Sequence, residues 1–281
     1  MDIVQSIERS PRMNRFEQAV DDLESLEMIP GVAQRVVSMT GNPDCRMSEI
    51  ERLVASDAAL SARVLRLAAT PAFLARPART LRAALAAIGT LDLRKIVLAA
   101  SLPGAGASSG FAGALWRHSL QTAHLAQSLA LRVRPGPGPD PFLSGLLHEV
   151  GTMALLRLLN GEYSRLLGRP GADEQCAPER ALLGFDHADF GAVVASRWRL
   201  FPELEVVIQL HHDLGLLERL ALPRATANIV RLVALSRTAI VHPTHPRVTE
   251  LAKGFDLSME AISEDLEDCA KITASIAGSL G

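Results

Sequence analysis

The chain has 281 residues, of which 48% are apolar, 21% charged and only 4% aromatic. A compact chain of this length buries roughly 75% of its unfolded surface, enough for one large core or two smaller ones. Its 29 basic and 31 acidic side chains leave a formal charge of −2 and a pI near 6.5. That balance lacks the basic face of a nucleic-acid-binding domain, so no nucleic-acid partner is expected. Cys45, Cys176 and Cys269 are odd in number and far apart. They read as buried thiols in a reducing cytosol rather than as a disulfide framework.

Residues 1–24 form an N-terminal extension. Asp2, Glu8, Arg9, Arg12, Arg15 and Glu17 leave no room in it for the apolar run of a signal peptide. Beyond it, apolar residues recur at helical rather than alternating spacing. In the stretch from Asp57 to Ala69, Leu60, Val64, Leu67 and Ala68 share one face, and Arg63 and Arg66 lie off it. Asp57 is placed to cap that helix and Pro71 to stop it. No run rich in β-branched and aromatic residues is bounded by hairpin turns, so the expected fold is all-α: a multi-helix bundle of two helical subdomains. Leu102-Pro-Gly-Ala-Gly-Ala-Ser-Ser-Gly110 cannot sustain a helix and separates the first subdomain, 25–101, from the second, 111–245.

The uncharged stretch from Ile96 to Trp116 is long enough to span a membrane. Its Pro103, Gly104, Gly106, Gly110 and Gly113 would leave backbone groups unpaired in lipid. A cytoplasmic protein with no membrane partner is expected. The proline-rich run Arg134 to Pro141 ends a helix within the second subdomain. Residues 256–281 form an acidic amphipathic helix, with Glu260, Glu264, Asp265, Glu267 and Asp268 set against Lys271. That charge run reads as a solvated face.

Six of the eight histidines fall between His118 and His212. They occupy four places, His118, His148-Glu149, His187 and His211-His212, separated by 30, 39 and 24 residues. Each gap is enough to pass from one helix to the next, so the four places can converge in a bundle core, as metal sites in bundles do. On a helix from Phe111 to Leu131, His118 shares a face with Leu115, Thr122, Leu125 and Leu129. His124 lies with Arg117, Gln121 and Ser128. His118 therefore points inward, as a core residue or a ligand, and His124 points to water. His148 and Glu149 are adjacent on a helix, suited either to a divalent cation or to a buried hydrogen bond between them. Gly145 and Gly151 flank them and permit close approach of a helix or a ligand. His187 follows Asp186, a good N-cap, in the first turn of a helix from Ala188 to Arg199. There the macrodipole favours a neutral imidazole, whether His187 is a ligand or part of the cap. Of His211 and His212, one points fully inward and the other lies at the surface.

These residues, in this order, resemble the HD superfamily of metal-dependent phosphohydrolases. The N-terminal half narrows the resemblance to that superfamily's regulatory branch, the HDOD (HD-related output domain) family of bacterial signalling proteins. The similarity is carried by Ile29-Pro-Gly-Val, Ser56 to Ala68 and Ala83 to Leu98. It continues through Leu115-Trp-Arg-His-Ser-Leu, Gly145-Leu-Leu-His-Glu-Val-Gly151, Phe185-Asp-His-Ala-Asp and His211-His212. It covers roughly residues 25–245 and implies an HD-like second subdomain, with His118, His148, Glu149, His187 and His211 as metal ligands and His212 able to replace His211.

The departures shape the functional expectation. Where the superfamily has His-Asp, this chain has His148-Glu149, and glutamate's extra methylene moves the oxygen by roughly a bond length, 1.5 Å. The superfamily's aspartate on a late helix would fall near Ala234, but no acidic residue occurs from Arg219 to Thr249. The motif positions thus offer neutral imidazoles and one carboxylate, too little negative charge for two hard cations. A single divalent transition metal (Fe, Zn, Ni or Mn) remains compatible, and no other cofactor is expected. The resulting expectation is a regulatory module without catalytic residues, acting on signalling protein partners and binding a ligand or metal at the histidines. The alternative is a metal-dependent phosphodiesterase or nucleotidase with His148 and Glu149 catalytic, in which an ion-activated water attacks phosphorus.

Overall fold

A computed structural model describes residues 19–22, 29–42, 44–70, 80–107, 109–166, 176–198 and 200–280. The described residues are helical with no strand, so the chain is all-α as its periodicity predicts. The chain opens with α1 (Gly31–Met39), α2 (Met47–Ala55), α3 (Ala58–Ala68) and α4 (Leu81–Ser101). Next come α5 (Gly110–Val133), α6 (Pro141–Leu147) and α7 (Val150–Ser164). The chain continues with α8 (Cys176–Leu183), α9 (His187–Arg197), α10 (Pro202–Leu210), α11 (Leu214–Arg219) and α12 (Arg224–Val241). Two helices close the chain, α13 (Pro246–Lys253) and α14 (Met259–Leu280).

Local chemistry sets these boundaries. Asp57 accepts from the Leu60 amide at 3.0 Å, and Leu60, Val64, Leu67 and Ala68 are the buried face of α3. That helix ends at Ala68, before Pro71, which lies outside the described residues, as do most of the N-terminal extension and Arg199. Asp140 caps α6 through the Leu143 amide at 2.9 Å, with Pro141 at its first position, where a missing N–H has no cost.

The helices on either side of residues 102–109 pack on one another. Trp116 on α5 and Arg63 on α3 donate to the last carbonyls of α4, at Ala99 (2.8 Å) and Ala100 (2.9 Å). These are groups a helix end leaves without internal partners. The larger apolar core runs from Ile29, Val36 and Leu67 through Leu98 to Leu120, Leu147 and Phe190 without a break. A second core lies among α5, α10, α12, α13 and α14. Pro141–Leu159 has the length and hydropathy of a membrane span, but 78% of its apolar window is buried inside the protein. It serves as core.

Two surface assignments from the sequence are corrected. Asp265 does not belong to the solvated face of α14. It is buried, and the Arg132 guanidinium grips both its oxygens at 2.9 Å, clasping α14 to α5. Glu260, Glu264, Glu267 and Asp268 do face water. His124 does not point to water either. Its ring meets the Phe142 ring edge-on at 5.1 Å, and burial, with Lys95 nearby, pushes its pKa down to about 4. The helix wheel places His124 opposite His118, but α6 packs on that side of α5 too.

Two predictions follow from this packing. A Cβ at Gly151 would collide with the His187 carbonyl and come within 2.7 Å of the Gly191 amide, whereas one at Gly31 meets nothing within 4 Å. Gly151→Ala should therefore lower stability by ~1–3 kcal/mol or more and Gly31→Ala should leave it nearly unchanged, as read by thermal melting. His124 binds its proton more weakly folded (about 4) than unfolded (6.5). Its contribution is then full above pH 6.5 and lost as pH falls toward 4, on the order of 2–3 kcal/mol. The melting temperature of His124→Gln should fall less steeply than that of the parent between pH 7 and 4.5.

Candidate metal centre

Three of the four histidine places sit at helix ends. His148 and Glu149 form the turn between α6 and α7 rather than lying within one helix, so both side chains reach the same interior point. His187 is the first residue of α9. His211 caps the end of α10, and His212 follows it in the turn before Asp213 caps α11. Only His118 lies mid-helix, on the buried face of α5. The flanking glycines admit helices, not a ligand: Gly145 faces the Thr122–Ala123 backbone of α5, and Gly151 faces α9.

The ligand atoms of His118, His148 and Glu149 lie within 4.8 Å of one another, as do those of Glu149, His187, His211 and His212. The two groups share Glu149. His118, His148, Glu149, His187 and His211 are all buried. His212 is half-buried, and its Nε2 lies 2.9 Å from His187 Nε2. Both tandem histidines therefore face the cluster, because the chain reverses at the end of α10 instead of continuing as a helix.

Hydrogen bonds orient the rings. His148 Nδ1 donates to the Gly145 carbonyl at 2.7 Å and His211 Nδ1 to the Ile208 carbonyl at 2.6 Å. Each bond leaves an Nε2 lone pair directed at the centre, as in metal-ligating histidines. Two buried atoms there, His211 Nε2 and Glu149 Oε1, make no hydrogen bond. An imidazole nitrogen and a carboxylate oxygen, both buried acceptors, are a donor pair suited to a divalent transition ion. Thr152 donates to Glu149 Oε2 at 2.6 Å.

Charge divides the rings. Burial pushes His118 to about 3, His148 to about 4 and His211 well below the ordinary value, so all three are neutral. His187 goes the other way. Burial opposes its charge, but Glu149 and Glu179 overcome that and raise it to about 9. The expectation of a neutral His187 from the helix macrodipole fails because two carboxylates outweigh a partial charge. Burial would likewise raise Glu149, yet the surrounding histidines, His187 foremost, hold it below the usual carboxylate range.

Two residues at the centre escaped the sequence reading. Glu179, on α8, accepts from both the His187 amide and His187 Nδ1 at 2.8 Å, and from the Tyr163 hydroxyl at 2.6 Å. The only hint was that Glu179 shares a helix face with Leu183. Arg237, on α12, is fully buried, and its charge helps depress His118, His148 and His211. It stands one turn beyond Ala234, on the apolar stripe that includes Val230 and Val233. Cys176 has its sulfur within 4.8 Å of the Glu179 and His187 ligand atoms, but burial pushes its thiol up, which keeps it protonated.

A helical fold whose helix ends gather histidines and a shared glutamate around one interior point defines an HD-like protein with a candidate metal centre. The HDOD domain profile matches residues 26–214, about two thirds of the sequence, and the chain belongs to the HDOD domain family. The fold is similar to the crystal structure of a protein from Shewanella amazonensis SB2B, provisionally named a phosphohydrolase. That match has a TM-score of 0.70 and 22% identity, covering 95% of this chain and 98% of that one. A protein from Marinobacter aquaeolei VT8, provisionally named a signal transduction protein, matches with a TM-score of 0.71 and 19% identity, over 96% of this chain and 65% of that one. An uncharacterized protein of Treponema pallidum (strain Nichols) is 22% identical over 76% of this chain. The chain spans 43% of that curated relative's length.

The Glu179 clamp yields a graded prediction. Tyr163→Phe removes one hydrogen bond to a buried carboxylate and should lower stability by ~1–3 kcal/mol. Glu179→Ala also strands the His187 charge and should lower it by ~3–5 kcal/mol. Chemical denaturation of metal-free protein measures both, and equal losses would contradict the clamp.

Proposed function

We propose that this HDOD protein is a regulatory signal-transduction module, without hydrolytic activity, that acts by binding a signalling protein and holds a single divalent transition ion in its histidine cluster. The observation that carries this reading is the charge of the centre. Among the described residues, Glu149 is the one carboxylate facing the imidazole Nε2 atoms, and Arg237 adds a buried cation beside them. A two-ion hydrolytic centre would gather four positive charges against that single anion. The second carboxylate, Glu179, is turned to the far side of His187. Bound at the cluster, an ion of the Fe, Zn, Ni or Mn type would cross-link helix ends and fix their spacing. Glu149, His187, His211 and His212 bring four donor atoms within 4.8 Å of one another to hold it, His187 giving up its Nε2 proton as the ion binds. A cytoplasmic place of action agrees with this role and with the burial of the apolar span in the core.

A second reading, a metal-dependent phosphohydrolase, draws support from one feature: Glu149 is shared between two donor groups, as a bridging ligand would be. The two readings separate cleanly. Protein supplied with manganese, iron or zinc should not hydrolyse bis(p-nitrophenyl) phosphate or cyclic dinucleotides above the buffer rate. Elemental analysis should find a transition metal that His211→Ala diminishes. Turnover abolished by His148→Ala would overturn the regulatory reading.

A further inference from the structure

Helices α9 and α10 pack as a hairpin whose two ends differ. His187 opens α9 and His211 follows the last residue of α10, and their ring centroids lie 5.5 Å apart in the histidine cluster. The turn that joins the two helices lies roughly 15 Å away, the length of α9. There Arg197 and Trp198 line a pocket of about 220 Å³ together with Arg35 and Ser38 of α1, and the buried Ile29 and Val37 form its apolar part. Arg94 ties Phe201 to the same place. Its guanidinium donates to the Val37 carbonyl at 2.9 Å and lies 4.8 Å from the centre of the Phe201 ring. Phe201 therefore stands beside the pocket, and it is 49% exposed.

Size, shape and charge select the occupant. The pocket is smaller than the roughly 300–1,000 Å³ that encloses a cofactor-sized ligand, but it has room for one apolar side chain. Arg35, Ser38 and Arg197 at its rim are exposed, so an occupant can run on across the surface and over Phe201. Among the described lining residues two are arginines and none is acidic. Tryptophan, arginine and phenylalanine around a small pocket are the residue types that anchor protein interfaces.

We infer that the pocket between α1 and the α9–α10 turn docks an acidic segment of a partner protein: one apolar side chain of the segment fills the pocket, its carboxylates meet Arg35 and Arg197, and it covers Phe201. This names the surface and the chemistry of the signalling partner in the function proposed above, and rests on that reading. Charge complementarity supplies the orientation and speed of encounter, and the buried side chain holds the complex together.

The probes are short fluorescein-labelled peptides, each with a single leucine or phenylalanine set among aspartates and glutamates, and counterparts in which lysines replace the acids. They are titrated against the full chain by fluorescence anisotropy. The acidic peptides should bind and the lysine peptides should not. Affinity should fall as salt rises from about 0.05 M to about 0.3 M, because the charges at the rim are exposed and screened. Arg35→Glu should weaken binding at least tenfold, about 1.4 kcal/mol. Phe201→Ala should weaken it about threefold or more. Arg224→Glu makes the same change of net charge at an exposed position on α12 and should leave binding unchanged. Should Phe201→Ala fail to fold, as judged by circular dichroism, Arg35→Glu at an exposed position still decides. Acidic peptides that bind no better than lysine peptides, or binding indifferent to Arg35→Glu, would overturn the inference. So would a dimer of the chain alone, seen by sedimentation and dissociated by Arg35→Glu, since a second copy would then be the occupant. Each of these results leaves the regulatory reading standing, whereas phosphodiester turnover in the assay above would refute that reading itself.

Discussion

Glu149 is an ionised carboxylate with no exposure to water, and much of the second subdomain can be understood as the means of keeping it there. An isolated charge in such a place carries a penalty of several kcal/mol unless partners surround it. The chain supplies them from separate elements: the Thr152 hydroxyl one turn on, the charged His187 at the head of α9, and the rings of His148 and His118. His187 in turn is held by Glu179, which also fastens its backbone amide and the Tyr163 hydroxyl.

The same arrangement explains why the centre stands at helix ends. A residue within a helix has its direction fixed by neighbours three and four positions away, whereas a residue in a turn between helices does not. His148-Glu149, His187 and His211-His212 all occupy such junctions, and only His118 is committed mid-helix. The price is close packing: α7 meets α9 at Gly151 and Gly191, and α6 meets α5 at Gly145, with no space for a methyl group in between. The glycines around the histidines are thus explained by helix contacts and not by access for a ligand.

How much of this was legible in the sequence depends on range. Helical periodicity, the Asp57 and Asp186 caps and the proline-rich end of α5 are local signals, and the structure follows them. The gathering of His118, His148, Glu149, His187 and His211 was legible as well, because four places at helix-length spacing in an all-α chain have few other ways to pack. What the sequence concealed was the partner of each charge. His124 is polar by its helix wheel and half-buried by its neighbour. Asp265 belongs to an acidic run yet serves Arg132 on another helix. His212 sits beside a fully inward residue, and only the reversal of the chain after α10 turns it inward too. Glu179 and Arg237 stand on apolar faces, where a charged residue is a sign of a buried partner that helix periodicity alone cannot name.

Arg237 shows most directly why counting acids was an incomplete measure of this centre. The late helix was read for the aspartate it lacks, and that absence lowers the negative charge available to a metal. The structure shows that the same helix also adds a positive charge, so the field at the cluster differs from that of a two-ion site by more than one missing ligand. A lost carboxylate alone could be repaired by water or by a substrate phosphate entering as a ligand. A guanidinium buried in the core cannot be repaired that way, because no ligand from solvent can replace it. On the regulatory reading proposed above, the centre departs from hydrolytic chemistry by an added interaction in the core as well as by a missing ligand.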